Sequence, residues 1–194
     1  LLSALERTGL DATLANDANT FTVFAPDNDA FDALGVDLST LSDDELTNIL
    51  LYHVLGAEVN AGGIAEGDTY VTTASTAAPG DNQLSLYINN TAGDITLNGS
   101  TNVTMADVDA TNGVVHIIDE VLLPPSVVDH ALNNSAFTEL VGALGAADGD
   151  LVTTLSGDGP FTVFAPVNSA FEAISGVVDG LTAEELRDVL LYHV

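Results

Sequence analysis

Residues 21–26 read FTVFAP, and the same six letters stand again at residues 161–166. The repeat extends beyond the hexamer, because residues 21–54 align with residues 161–194 over 34 positions without a gap. The two copies are 140 residues apart, whereas solenoid repeats have a period of about 20 to 50 residues. The sequence therefore predicts a domain used more than once, with FTVFAP as a core strand of each copy.

The boundary between the copies is predicted at the double proline that begins at Pro124. The stretch LLSALERTGLDATL at the start of the chain matches LVGALGAADGDLVTTL from Leu140 once a two-residue insertion is allowed. The prolines end the preceding strand, and Ser126 is a good N-cap for a new helix. We expect a domain at residues 1–124, with its N-terminal helix missing or truncated, and the helical N-terminal half of a second domain at residues 125–194.

Hydrophobic patterning predicts helices first and strands later in one domain. TFTVFA alternates as a strand does, and Asn28, like Asn168 in the second copy, can cap the short helix that follows. Ser42 opens an amphipathic helix with a capping box, as Thr182 does in the second copy. Farther along, the apolar period changes to two, and TNGV at 111–114 signals a hairpin turn. This order predicts an α+β fold and not an alternating α/β one.

The composition is strongly acidic, with 29 Asp and Glu residues against two arginines and no lysine, for a formal net charge of −27. The carboxylates are scattered among apolar residues, so they coat a folded surface and do not form a disordered tail. Salt screens such a coat, since the Debye length is about 3 Å at 1 M and about 8 Å at physiological strength. We therefore expect a halophilic, archaeal protein, with an ordinary acidic secreted protein as the alternative. The charge excludes nucleic acid and anionic membrane surfaces as partners.

Neither cysteine chemistry nor a transmembrane helix is predicted. The chain has no cysteine, and its most apolar stretch, GVVHIIDEVLLPPSVV, is interrupted by charges and prolines. A membrane-spanning helix needs about 20 apolar residues. We expect an extracellular or cell-surface protein whose signal and any anchor lie outside this sequence. Four N-x-[ST] sequons are candidate glycosylation sites of an exported protein: Asn89, Asn98, Asn102 and Asn133.

Tyr-His pairs end the capped helix in both copies, at Tyr52 and His53 and at Tyr192 and His193. Another histidine, His116, lies among valine and isoleucine residues. We favour structural histidines, whose ring nitrogens bond to carbonyl or hydroxyl groups, over metal ligands or general bases. We expect His53 and His116 to lie near each other as an internal polar clasp.

The remaining motifs do not predict a reaction. DND at 27–29 resembles the start of a calcium loop, but Asp32 stands where the loop needs Gly and Leu38 where it needs Glu. DVD at 107–109 has no third ligand nearby in sequence. A G-x-S-x-G turn and a cysteine nucleophile are both missing from the sequence. We predict a non-enzymatic protein without catalytic residues, metal or cofactor.

The motifs resemble those of fasciclin (FAS1) domains. The family signature FTVFAP-x-N-x-AF is matched at residues 21–31 and 161–171, and the signature NG-x-V-H-x-ID-x-VL-x-P at residues 112–124. The resemblance implies a wedge of antiparallel strands with packed helices, in secreted or cell-surface proteins of adhesion and extracellular matrix. The acidic coat departs from the family's animal members, so their receptor contacts are not carried over.

Two function classes follow from the repeat and the resemblance. The first is non-enzymatic adhesion or matrix contact with protein partners. The alternative is a subunit of an extracellular homopolymer or filament, in which a neighbouring chain completes or braces the incomplete second domain. Glycans stay open as a further ligand class, although no residue argues for them.

Overall fold

In the computed structural model, which describes residues 1–157 and 159–194, the chain divides into two compact units. Unit 1 is Leu1–Pro124 and unit 2 is Pro125–Val194. The helices of unit 1 are α1 (Leu2–Thr8) and α2 (Leu10–Leu14), which precede its first strand, and α3 (Asn28–Ala33) and α4 (Asp43–Tyr52), which follow it. Short 3-10 turns lie at Leu38–Thr40 and Ala61–Gly63.

The strands of unit 1 are β1 (Phe21–Pro26), β2 (Val54–Leu55), β3 (Gly67–Thr72), β4 (Ser85–Thr91), β5 (Asp94–Leu97), β6 (Thr101–Ala110) and β7 (Gly113–Ile118). They form one sheet in the order β2-β1-β7-β6-β5-β4-β3. Neighbouring strands run antiparallel, except that β1 and β7 are parallel, with Phe24 opposite His116. The α+β class is confirmed, and the parallel pair is a feature that the strand pattern did not predict.

The FTVFAP strand lies inside this sheet and buries every second residue. Thr22, Phe24 and Pro26 are buried, while the residues between them are half-buried, as the alternation of the sequence predicts. Phe24 belongs to the main core cluster of unit 1. Burial of a side chain of this size stabilises the fold by about 1.5 to 3 kcal/mol. The core of unit 1 also includes Tyr52, Leu86, Ile88, Leu97 and Ile118.

Local signals in the sequence define the element ends. The Ser42 hydroxyl accepts from the Glu45 N–H at 3.3 Å, and the Glu45 carboxylate accepts from the Ser42 N–H at 2.9 Å, so the predicted capping box of α4 is confirmed. TNGV forms the predicted hairpin turn, since Ala110 pairs with Gly113 across the β6–β7 ladder. These features depend on residues close in sequence, which is why patterning identifies them.

Unit 2 is helical over its described residues. Its helices are α5 (Val127–Asn133), α6 (Thr138–Ala146), α7 (Leu151–Leu155), α8 (Asn168–Ala173), α9 (Ser175–Val178) and α10 (Ala183–Leu191), with a 3-10 turn at Ser135–Phe137. Ser126 caps α5 and Thr182 caps α10, each through a capping box. Leucines and alanines of α5, α6, α7 and α10 form its core.

The second FTVFAP copy forms no strand within the described residues of unit 2, so that prediction is wrong. In unit 1 this strand pairs with β2 and β7, and a strand without a hydrogen-bonded neighbour does not form a ladder. One bond of the unit 1 pattern is kept. The Phe164 N–H donates to the His193 carbonyl at 2.8 Å, as the Phe24 N–H donates to the His53 carbonyl at 2.9 Å.

Candidate functional site

The Tyr-His pair of unit 1 lies in the core at the C-terminal end of α4. Tyr52 is fully buried, and its hydroxyl donates to the Ser85 carbonyl at 3.1 Å. The Asn98 side-chain amide donates to the same hydroxyl at 3.2 Å. Burial raises the pKa of Tyr52 to about 12. The phenol therefore stays protonated at neutral pH and links α4 to the sheet as a hydrogen-bonding group.

His53 bonds two backbone groups from different parts of unit 1. Its Nδ1 lies 2.7 Å from the Ile49 carbonyl, and its Nε2 accepts from the Leu122 N–H at 2.9 Å. The neutral ring with its proton on Nδ1 satisfies both bonds, whereas a charged ring would face the Leu122 donor with a second donor. Burial lowers the pKa of His53 from its ordinary value of 6.5 to about 4. The ring is therefore neutral at pH 7 and cannot act there as a cationic group.

Acidification is expected to destabilise unit 1 through His53. Because the pKa of this ring is about 4 when folded and 6.5 when unperturbed, the unfolded chain binds a proton between these values that the folded chain does not bind. The free energy of unfolding should fall by about 3 kcal/mol as the pH drops from about 6.5 to about 4, since each pKa unit is worth about 1.4 kcal/mol. Urea denaturation at pH 7.5, 5.5 and 4.5 measures this slope. The slope should be shallower in His53→Phe, and an identical slope in both proteins would contradict the assignment.

His116 lies on β7 and does not bond to His53. Its Nδ1 accepts from the Asp107 N–H at 3.1 Å, and its Nε2 lies 2.9 Å from the Val59 carbonyl. The ring packs against Phe24, with centroids 5.4 Å apart. The expected clasp between His53 and His116 is therefore wrong, because both nitrogens of each ring are occupied by backbone groups. Each histidine joins a separate pair of segments around β1.

The Tyr-His pair of unit 2 keeps the local geometry but not the burial. His193 Nδ1 lies 2.8 Å from the Val189 carbonyl, the same helical bond that His53 makes. Tyr192 is 92% exposed and Phe164 74% exposed, whereas their unit 1 counterparts in the core are 0% and 1% exposed. We call Phe164 and Tyr192 the open face of unit 2. These two side chains are thus exposed in unit 2, whereas the residues at the same positions of unit 1 are buried in its core.

The capping role predicted for Asn28 and Asn168 is wrong. The N-cap of α3 is Asp27, whose carboxylate accepts a backbone N–H at 2.8 Å, and Asn28 is already the first helical residue. Asn168 also stands inside its helix, and its side chain reaches another element. Its Oδ1 accepts from the Glu139 N–H at 3.0 Å, and its Nδ2 donates to the Ser135 carbonyl at 2.9 Å. Asn168 therefore ties α8 to the start of α6.

The sequons lie in different settings. Asn89 on β4 and Asn133 at the end of α5 are half-buried. Asn98 is half-buried as well, and its amide donates to the buried Tyr52 hydroxyl. Asn102 on β6 is exposed. Asn102 is thus the most exposed of the four residues, and its side-chain amide donates to Asp119 Oδ2 at 2.8 Å.

One carboxylate of each acidic motif bonds a backbone group. Asp27 caps α3, and Asp107 Oδ1 accepts from the Ala61 N–H at 2.8 Å. Within residues 1–157 and 159–194, no group of three or more His, Asp or Glu side chains is placed to hold a metal ion. Over the same ranges, no helix is both long enough and apolar enough to cross a membrane.

Sequence reasoning missed a groove of about 300 Å³ in unit 2, which we call the α6 groove. Its lining includes Glu139 and Ala146 of α6, Val178 of α9, Leu181 in the turn before α10, and Ala183 at the start of α10. The repeat contains a signal for this groove. Ala146 and Ala183 stand where unit 1 has Arg7 and Asp43. Large side chains replaced by alanine leave space between the same helices.

Comparison with known families matches the fasciclin domain to residues 1–124 and 135–194. The chain is 31% identical over 196 residues to transforming growth factor-beta-induced protein ig-h3 of Oryctolagus cuniculus, covering 98% of this chain and 27% of that protein. It is 30% identical over 184 residues to periostin of Homo sapiens, covering 90% of this chain and 21% of that protein. It is 41% identical over 110 residues to protein sll1483 of Synechocystis sp., covering 54% of this chain and 56% of that protein. The chain thus spans between about a fifth and just over half of these relatives.

Among solved structures, the fold is similar to that of a FAS1 domain pair from the insect cell adhesion molecule Fasciclin I. The TM-score is 0.59 at 20% sequence identity, and the match covers 91% of this chain and 62% of that chain. At this identity the likeness concerns the fold, and it confirms the fold that the motifs of the sequence predicted.

Proposed function

The chain belongs to the fasciclin domain family, and on that premise we propose that it is a secreted or cell-surface protein that mediates adhesion or extracellular-matrix contacts by binding other proteins. The observation that carries the proposal is the fasciclin match over residues 1–124 and 135–194. Two further observations support it: a similar solved structure comes from a cell adhesion molecule, and the histidines and acidic motifs are engaged in structural bonds. In this proposal the protein is not an enzyme and needs no cofactor.

Gene deletion in the source organism tests this function. Cells without the gene should adhere to one another or to their matrix less than the parent strain does, and a plasmid copy should restore adhesion. Antibody detection in separated cell fractions should find the protein outside the membrane. Unchanged adhesion together with a dispersed intracellular distribution would overturn the proposal.

The acidic surface supports the further proposal that the protein is adapted to concentrated salt. A net charge of −27 repels itself in dilute buffer and is screened in concentrated salt. We propose that the fold is stable at molar NaCl. We also propose that Asn102 is the sequon that accepts a glycan. Residues 125–194 form, in this proposal, the first half of a second fasciclin domain. Thermal melts at 3 M and 0.1 M NaCl and the intact mass of native material test the first two points.

Self-association is the second candidate function, and the open face of unit 2 favours it. Two aromatic side chains whose counterparts belong to the unit 1 core are 74% and 92% exposed there. In unit 1 their counterparts are covered by residues 55–122, which have no counterpart among residues 125–194. In this reading a neighbouring copy covers Phe164 and Tyr192 and the chains form a homopolymer or filament.

Light scattering on size-separated protein tests self-association. The mass at 3 M NaCl is expected to be a multiple of one chain, because salt screens the repulsion between acidic copies, and to fall toward 19.9 kDa at 0.1 M NaCl. Replacing both Phe164 and Tyr192 with serine should give the single-chain mass at every salt concentration. A single-chain mass for the unchanged protein throughout would exclude the homopolymer.

A further inference from the structure

The segments that line the α6 groove in unit 2 have counterparts in unit 1 that bond an exposed arginine. Residues 1–8 align with 140–147, so Ala146 takes the place of Arg7. In unit 1 the Arg7 guanidinium donates to three oxygens: Asp43 Oδ1 at 2.9 Å, the Leu38 carbonyl at 2.9 Å and the Leu41 carbonyl at 2.6 Å. Arg7 thereby links the end of α1 to the turn before α4.

Unit 2 lacks the arginine, and the counterparts of the residues that bond Arg7 in unit 1 line the α6 groove there. Val178 and Leu181, the counterparts of Leu38 and Leu41, line the α6 groove, while Ala183 stands where unit 1 has Asp43. A carboxylate is nevertheless present, because Glu139 lines the same groove. Among the described residues no ion pair engages the Glu139 side chain. The groove thus combines apolar walls and an acidic group.

We propose that the α6 groove binds an arginine side chain presented by a basic segment of a partner protein. The aliphatic stem of arginine suits the walls formed by alanine, valine and leucine. The planar guanidinium has donors for carbonyls and a carboxylate at once, which the compact ammonium of lysine matches less well. The Arg7 site of unit 1 is the template for this contact.

The charge of the chain indicates that the arginine comes from a different protein. The sequence contains two arginines and no lysine. Arg7 is held by its three oxygens, and Arg187 pairs with Asp188 at 2.8 Å, with Glu184 at 3.6 Å and with Asp148 at 3.9 Å. A basic segment also complements the net charge of −27, and at molar salt, where the Debye length is about 3 Å, this attraction acts at contact distance. The inference rests on the proposed function, since it names the chemistry of one protein contact.

Titration of the full ¹⁵N-labelled chain with a capped Gly-Gly-Arg-Gly-Gly peptide tests the site. Saturable shifts are expected at the amides of Glu139, Val178 and Leu181. The same peptide with citrulline, which has nearly the same shape and no charge, should bind at least tenfold more weakly. Equal binding of the two peptides, or no saturable shift with the arginine peptide, would overturn the proposal.

A reciprocal exchange between the units provides the matched controls. The double variant Ala146→Arg, Ala183→Asp places the arginine and aspartate of unit 1 in unit 2, so it should fill the α6 groove and lower peptide affinity at least tenfold. The single variant Arg7→Ala, which keeps the Asp43 carboxylate, should open a second site, with new shifts at Leu38 and Leu41. Shifts that persist unchanged in the filled variant come from the acidic surface at large and contradict the proposal.

The adhesion assay separates this inference from the proposed function. If the filled variant restores adhesion to the deletion strain fully, the α6 groove is not the contact site and the adhesion function stands. If the peptide binds in the groove and adhesion is independent of the gene, the groove is a binding site and the proposed function fails. Loss of both peptide binding and adhesion in the filled variant supports both.

Discussion

Replacing Gly113 with alanine is expected to unfold unit 1. Gly113 opens β7 opposite Phe21 of β1, in the parallel pair that joins these strands, and its φ is +145. A Cβ atom there would overlap the Phe21 carbonyl oxygen and lie 2.9 Å from the Phe21 nitrogen. Both contacts are with backbone, which cannot turn aside as a flexible side chain does. The expected cost is more than about 4 kcal/mol, since a backbone clash and an unfavourable φ act together.

Gly93 provides the matched control for this substitution. It stands in the turn between β4 and β5 with a φ of +96, and a Cβ atom there would meet nothing within 4 Å. Gly93→Ala should therefore cost only about 1 kcal/mol, the strain of alanine at a positive φ. Urea denaturation followed by far-UV circular dichroism compares the two variants. Equal losses of stability would show that the contact with Phe21 does not matter.

Gly113 also illustrates what the sequence can and cannot predict. The letters NG before β7 predict a hairpin between β6 and β7, and that turn forms. They do not predict that β7 also pairs in parallel with β1, whose residues stand about ninety positions earlier. A turn depends on neighbouring residues, whereas strand order depends on contacts far apart in sequence. For this reason the sequence predicts the β6–β7 turn and the strand at residues 21–26, but not the order of the strands in the sheet.

In the candidate site, too, the sequence predicts local features better than contacts between distant residues. The capping box at Ser42 forms as predicted, because both partners lie within one turn. The sequence pattern predicts Asn28 as the cap of α3, whereas Asp27 provides it, a shift of one residue that local pattern does not resolve. Phe164 repeats the letter of Phe24 but not its burial, since burial depends on what packs against a residue. Repetition in sequence therefore predicts local geometry better than it predicts which residues are core.

Replacing His53 with phenylalanine is expected to destabilise unit 1 by about 3 kcal/mol at pH 7.5. The ring is buried, and its two nitrogens serve the Ile49 carbonyl and the Leu122 N–H. The N–H of His53 itself donates to the Leu50 carbonyl, so the Ile49 carbonyl loses the bond that the ring supplies. Each buried backbone group left without a partner costs about 1 to 3 kcal/mol, and phenylalanine cannot bond to either.

His193 is the matched control, because it holds the corresponding position at the end of α10. Its Nδ1 makes the same helical bond at 2.8 Å, but the residue is only half-buried, so water can replace the ring as the partner of the Val189 carbonyl. His193→Phe should therefore change the free energy of unfolding by less than about 1 kcal/mol. Urea midpoints of the two variants at pH 7.5 measure the difference. If His53→Phe is as mild as His193→Phe, the bond between His53 and the Leu122 N–H does not stabilise the fold, and the pH dependence assigned to this ring fails with it.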